Sequence, residues 1–314
     1  MFGFLKKYEM STVDLEVIEI LKREGIKLTE VKKIDYSDND KYVVKKGYIT
    51  ELVINNREFD KNILDIFSKL TKLKMLDLSS NKIKIIPESF SALINLKVLR
   101  LFENQITTIS DSLCELTNLE KLILRSNQIT TIPNSLGLLD KLKYLDLQSN
   151  QIGVIPNTLC KLKNLEHLLL GKNKINVIPD IIFHLKKLES LDLFSNQIII
   201  IPNTISKFEN LKYLYLSSNK ISAIPDSLSE CYTLEELDLS SNRLTTIPNS
   251  LSNLYQLRGF VLDSNQLTTI PNTFIKFKNL KNPYGISLKN NKFEIDESIT
   301  NSKKLISYVL KQKH

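Results

Sequence analysis

Chemistry-bearing residues are sparse in this 314-residue chain, which has three histidines, three cysteines and eight glycines. His167, Ser190 and either Asp192 or Asp146 have the types needed for nucleophilic catalysis: a hydroxyl to attack, an imidazole to take its proton, and a carboxylate to orient the imidazole. Such a relay also needs an oxyanion hole and a strained turn that presents the nucleophile, and no stretch here signals either. His184 and His314 stand apart from His167, so no metal-ligand spacing exists. Cys114, Cys160 and Cys231 form no CxxC pair. Neither a phosphate loop nor GxGxxG is present, and eight glycines leave little to build one from. No enzyme activity, metal or cofactor is expected.

What positions these residues is a repeat. LKYLDLQSNQIGVIPNTLCKLKN, residues 142–164, returns at a fixed 23-residue step as LxxLxLxxNxIxxIPxxLxxLxx. Its asparagine marks the register at Asn81, Asn104, Asn127, Asn150, Asn173, Asn196, Asn219, Asn242 and Asn265. LxxLxL reads as a short strand whose leucines point inward on alternate positions. The asparagine turns the chain out of that strand, and its buried amide has to pair with backbone of neighbouring coils. The IPxxLxxL half returns outside, with proline suited to the first position of a short helical turn. Eight of the nine prolines hold that slot, and the third repeat has Ser110 instead. A single coil buries too little to stand alone, so the chain folds as an array. Cys114 and Cys160 then share one position two coils apart, ~10 Å by strand spacing, too far for a disulfide.

The ends depart from the period. Residues 1–46 are expected to cap the array, with a helix from Ser11 or Thr12 to about Glu24 on a Val13, Val17, Ile20 and Leu21 stripe. Two short strands are expected at 31–36 and 42–45, around the SDND turn at 37–40. An eleven-repeat array spans 47–293. Its degenerate first repeat places Ile49, Leu52, Ile54 and Phe59 in core slots and Arg57 where the asparagine belongs. Asn291 comes 26 residues after Asn265, so NPY (282–284) reads as a three-residue insertion. Residues 294–314 read as a C-terminal helical cap that turns Ile299, Leu305, Ile306, Val309 and Leu310 to the last coil and Lys303, Lys304, Lys311 and Lys313 to water. The net charge of +8 is concentrated there: the last 39 residues hold nine Lys against three Asp or Glu. The array itself is close to neutral.

The third, fifth, seventh and eighth positions of LxxLxLxxN face the open side of the sheet and are free to bind. Asp77, Ser79 and Ser80, like Asp238, Ser240 and Ser241, read as filler. Repeats three to eight differ. Their third positions run Val98, Lys121, Tyr144, His167, Ser190 and Tyr213; their fifth Arg100, Ile123, Asp146, Leu169, Asp192 and Tyr215; their seventh Phe102, Arg125, Gln148, Gly171, Phe194 and Ser217. Aromatic and basic side chains of this kind make interface hot spots. At ~4.8 Å per strand, six strands would spread them over roughly 24 Å. Gly171, between Phe102 and Phe194, is expected to leave a shallow dip.

The period, the leucine pattern and the asparagine resemble the 23-residue, intracellular type of leucine-rich repeat (LRR) over residues 47–293. That resemblance implies an α/β fold: a right-handed solenoid (horseshoe) with a parallel sheet on its concave face and short 3-10 or α turns on its convex face. It also implies a non-catalytic protein-binding module or adaptor. Catalytic domains that accompany such arrays elsewhere would not fit in 46 leading or 21 trailing residues. The expected partner is an unidentified protein bound on the concave face of repeats three to eight. The chain is expected to be a monomer in the cytoplasm, because the N-terminus is not a signal peptide, cysteine-rich caps are lacking, and no apolar run reaches the ~20 residues that span a bilayer. Nucleic acid is not the expected partner. Two other readings are nucleic acid or another anionic partner on the basic C-terminal segment, and a secreted bacterial effector that acts by binding host protein.

Overall fold

The computed structural model describes residues 9–35, 39–277 and 285–293. The NPY insertion, the C-terminal helix and half of the SDND turn lie outside them. The chain divides into two compact units, residues 1–144 and 145–314.

The first unit opens with α1 (Thr12–Arg23), and Gly25 follows it with φ +80. Val17 and Leu21 are buried as expected, but the stripe is rotated. Val13 faces solvent and Asp14 is buried in its place. The reason is a backbone debt: Asp14 Oδ2 accepts the Ile49 N–H at 2.6 Å, satisfying a donor that would otherwise be buried unpaired. Strands β1 (Thr29–Glu30), β2 (Lys41–Lys45) and β3 (Tyr48–Val53) come next. The first is shorter and earlier than 31–36, because only Thr29 and Glu30 find register partners, Lys41 and Tyr42. β2 and β3 are antiparallel around Lys46 and Gly47, both at positive φ.

In the degenerate first repeat Ile49, Leu52 and Ile54 are buried, while Phe59 is half-buried edge-on against Phe67. Arg57 serves without an amide: its N–H donates to Asn81 Oδ1 at 2.6 Å and its guanidinium pairs with Asp40. A true helix follows, α2 (Lys61–Phe67), capped by the Asp60 carboxylate on the Ile63 N–H. β4 (Met75–Asp77), β5 (Val98–Arg100) and β6 (Lys121–Ile123) continue in parallel from β3.

β7 (Tyr144–Asp146) carries the chain from one unit to the next. The second unit holds β8 (His167–Leu169), β9 (Ser190–Asp192), β10 (Tyr213–Tyr215), β11 (Glu236–Asp238), β12 (Gly259–Val261) and β13 (Gly285–Ser287), all parallel and in chain order. In both units the nine regular coils return through five-residue 3-10 turns, for example Asn134–Leu138 and Asn157–Lys161. Proline stands one place earlier than expected, as the extended residue before the turn. Its carbonyl accepts the turn's first bond, as Pro133 does from the Leu136 N–H at 3.1 Å. Ser110 fills the slot by accepting the Ser112 N–H on its hydroxyl.

The asparagines do what their spacing implies. Asn104 Nδ2 donates to Leu78 O of the preceding coil and to Leu101 O of its own, both at 3.0 Å, and Oδ1 accepts the Ile83 N–H. Asn173 repeats this in the second unit with Leu147 O, Leu170 O and the Ile152 N–H. The residue before each asparagine sits in the left-handed region, as at Ser126 (φ 57), Ser149 (φ 54) and Lys172 (φ 54). That sharp turn aims the amide back into the stack.

Candidate protein-binding face

In the first unit the sheet face combines basic and aromatic groups. Val98 and Phe102 are half-buried, and Arg125 is exposed. The Arg100 guanidinium lies 3.3 Å from Asp77 Oδ2, and both side chains are almost covered. Asp77 is therefore no filler, and its other oxygen accepts the Ser79 N–H at 3.0 Å. Lys121 Nζ stands 4.1 Å from the centre of the Tyr144 ring, close enough for a cation–π contact.

The second unit repeats the aspartate motif at the fifth position. Asp146 accepts the Gln148 N–H, Asp192 the Phe194 N–H, and Asp238 the Ser240 N–H. Each carboxylate thus closes the turn at its strand's end, which buries Asp146 and Asp192. Asp192 has a second partner: Gln148 Nε2 donates to its Oδ2 at 2.7 Å from two coils away. Burial, foremost, raises its pKa above the ordinary value, against the pull of the Phe194 N–H and Gln148 and with help from Asp146 and Asp238.

Gly171 leaves no dip. The Phe194 ring lies on it, so an added Cβ would fall 2.2 Å from Phe194 Cδ1 and 3.1 Å from Asp192 Oδ1. Lys172 Nζ approaches the same ring at 5.8 Å. His167 is half-buried on β8, in register with Ser190 of β9 and beyond it Tyr213 of β10. Tyr215 donates its hydroxyl to Glu236 Oε2 at 2.6 Å. Burial and that carboxylate push the phenol pKa well above its usual range, so the hydroxyl stays protonated. Behind these side chains, Leu168, Leu191 and Leu214 supply the core.

Ser190 is buried, and both Asp192 oxygens are already engaged by Phe194 and Gln148. One of the two carboxylates a catalytic relay could use is thus committed to structure. Cys114 and Cys231 are buried free thiols whose pKa is raised by burial, the latter to about 12, and Cys160 is half-buried. Such thiols are poor nucleophiles. Among the described residues no three His, Cys, Asp or Glu side chains group to hold a metal, and no helix is long and apolar enough to cross a membrane.

Sequence reasoning missed two features of this face: the aspartates' bonds to backbone and the reach of Gln148 to Asp192. Aspartate two residues before a turn is a signal for the first. The second needs the coils stacked.

Comparison with solved structures places this architecture among known ones. A leucine-rich repeat protein of Leptospira interrogans is similar at 29% identity, over 84% of this chain and 71% of that one, with a TM-score of 0.75. An internalin of Listeria monocytogenes shares the fold at 24% identity, over 85% and 77% of the two chains, with a TM-score of 0.71. The leucine-rich repeat ectodomain of an Arabidopsis thaliana receptor kinase, solved in complex with Casparian strip integrity factor 2, is 26% identical. That match covers 79% of this chain and 36% of that one, with a TM-score of 0.58. No curated protein matches the sequence. The sequence model of the leucine rich repeat matches residues 48–106, 94–152, 140–198 and 200–244, and with the solenoid of parallel strands and 3-10 turns described above, the chain belongs to the leucine-rich repeat family.

Proposed function

We propose that this protein is a non-catalytic binding module that holds a protein partner on the sheet face of its repeats. Protein–protein interaction is the common work of leucine-rich repeat folds. One observation carries the reading further: on β8–β10, half-buried His167, Leu169, Phe194, Tyr213 and Tyr215 cover a face whose core is already complete without them. Large aromatic side chains held by neighbours lose little freedom on binding, which is what makes them anchors. Tyr215 is held by Glu236 and Phe194 by its seat on Gly171. In the first unit, Phe102, Arg125 and the Lys121–Tyr144 pair offer a second set of contacts. The Arabidopsis ectodomain's complex with Casparian strip integrity factor 2 supports assigning binding to this fold.

The test is affinity capture with the wild-type chain and with Phe194→Ala/Tyr213→Ala/Tyr215→Ala, each first shown to melt cooperatively. A protein retained by the first and lost by the second supports the sheet face; equal capture by both overturns it. The nine Lys of the last 39 residues favour a second reading, an anionic partner at the C-terminal segment. That reading requires capture to collapse between ~50 and ~200 mM salt, whereas aromatic anchoring requires it to persist.

A further inference from the structure

A different face of the second unit carries a self-complementary pattern. Where each coil leaves the sheet, the chain crosses the side of the stack between its asparagine and its proline. Coils there are stacked in register: the N–H groups of Lys174, Gln197 and Lys220 donate to Ile152, Ile175 and Ile198 carbonyls, each at 2.8 Å. The residue two before each proline points outward. Val154, Val177 and Ile200 are 73%, 62% and 68% exposed, and Ile199 beside them is 53% exposed. Ala223 continues the row, and between its coil and that of Ile200 lies a groove of about 230 Å³ lined by Pro202 and Pro225. In the same slot, repeat two has Ile85, in the first unit, and repeats three, four, nine and ten have Thr108, Thr131, Thr246 and Thr269. The apolar ridge is therefore a choice of these coils rather than a demand of the repeat.

Charge flanks the ridge symmetrically and with opposite sign. Three residues before Val177 stands Lys174 and three after it Asp180; Lys220 and Asp226 flank Ala223 in the same way, and all four are exposed. In the alternate coils, Gln151 and Asn157 flank Val154, and Gln197 and Asn203 flank Ile200. None of the nine regular repeats has an acid at the first of these positions or a base at the second.

A two-fold axis laid along the ridge keeps each coil level with its counterpart and exchanges the two flanks. Ridge then meets ridge, Lys174 meets Asp180, and Lys220 meets Asp226. An axis across the ridge would set lysine row against lysine row. We infer that the Val154–Val177–Ile200 ridge is a homodimer interface, occupied by a second copy of this chain side by side and parallel. This isologous arrangement closes on itself and leaves the sheet face open. It departs from the monomer expected from sequence.

Sedimentation equilibrium on the full chain tests it across micromolar concentrations. The wild type is expected to dimerise, and Val177→Lys/Ile200→Lys to sediment as a monomer that still melts cooperatively, since both positions lie in solvent in the single chain. Lys174→Asp and Asp180→Lys are each expected to weaken the dimer roughly three- to tenfold, as two symmetry-related pairs change together. Lys174→Asp/Asp180→Lys in one chain should restore it, because the reversed charges meet again across the axis. A monomeric wild type, a dimer indifferent to lysine on the ridge, or a charge swap no better than its single changes would each overturn the proposal.

Discussion

The Phe194 ring rests directly on the backbone of Gly171, closer than any side chain there would permit. Asp192 Oδ1 lies beside the same glycine, and its Oδ2 accepts Gln148 Nε2 from two coils away. One missing side chain thus seats an aromatic ring from the next coil.

Gly171→Ala should therefore expel the ring or push the backbone, costing about 1–3 kcal/mol of stability. Urea denaturation would show it. In a Phe194→Ala background the same change should cost far less, and the difference between the two backgrounds measures the contact.

Asn173 supports four backbone groups at once: the Leu147, Leu170 and Gly171 carbonyls and the Ile152 N–H. Asn173→Ala leaves buried groups unpaired and should destabilise the chain by roughly 2–4 kcal/mol. Exposed Asn176, three residues on, should tolerate alanine to within about 0.5 kcal/mol. Melts of the two variants side by side check both.

The pH response of Asp192 has a defined sign. Burial raises its folded pKa above the ordinary 3.8 of the unfolded chain. As pH falls from the folded value to the unfolded one, the native state takes up a proton first, so stability from this group rises through that window. Above it, the ionised carboxylate is a cost. Asp192→Asn keeps an oxygen for the Phe194 N–H and should remove this acid-side gain. Denaturant titrations at mildly acidic and neutral pH, wild type against variant, should show the slope shrink. An unchanged slope would assign it elsewhere.

The parts of the fold that were legible in sequence are those set by a period. A 23-residue step with leucine at alternate positions and asparagine at the turn admits one stack, so the Asn104 and Asn173 bonds could be anticipated without coordinates. What escaped lay where no period applies. Helical spacing alone puts Val13 inward, but an unpaired Ile49 N–H on the neighbouring strand draws Asp14 in instead. The α2 helix, capped by Asp60, lies in the coil that fits the repeat least. On the sheet face, residue types were readable but their alliances were not. Asp77 and Arg100 looked independent and are paired, and the dip expected at Gly171 is filled by its neighbour in the next coil. Such contacts join positions 23 or more residues apart, and only stacking brings them together.

The central claim is that the sheet face binds a protein. The most direct measurement places a photo-activated crosslinking residue at Tyr213, on β10, and separately at exposed Lys161, on the 3-10 side of the same unit. Both proteins are irradiated in extract from the native cell. A discrete adduct of one added protein from position 213, absent from position 161, is the predicted result. No adduct at 213, or the same adducts from both positions, would contradict it.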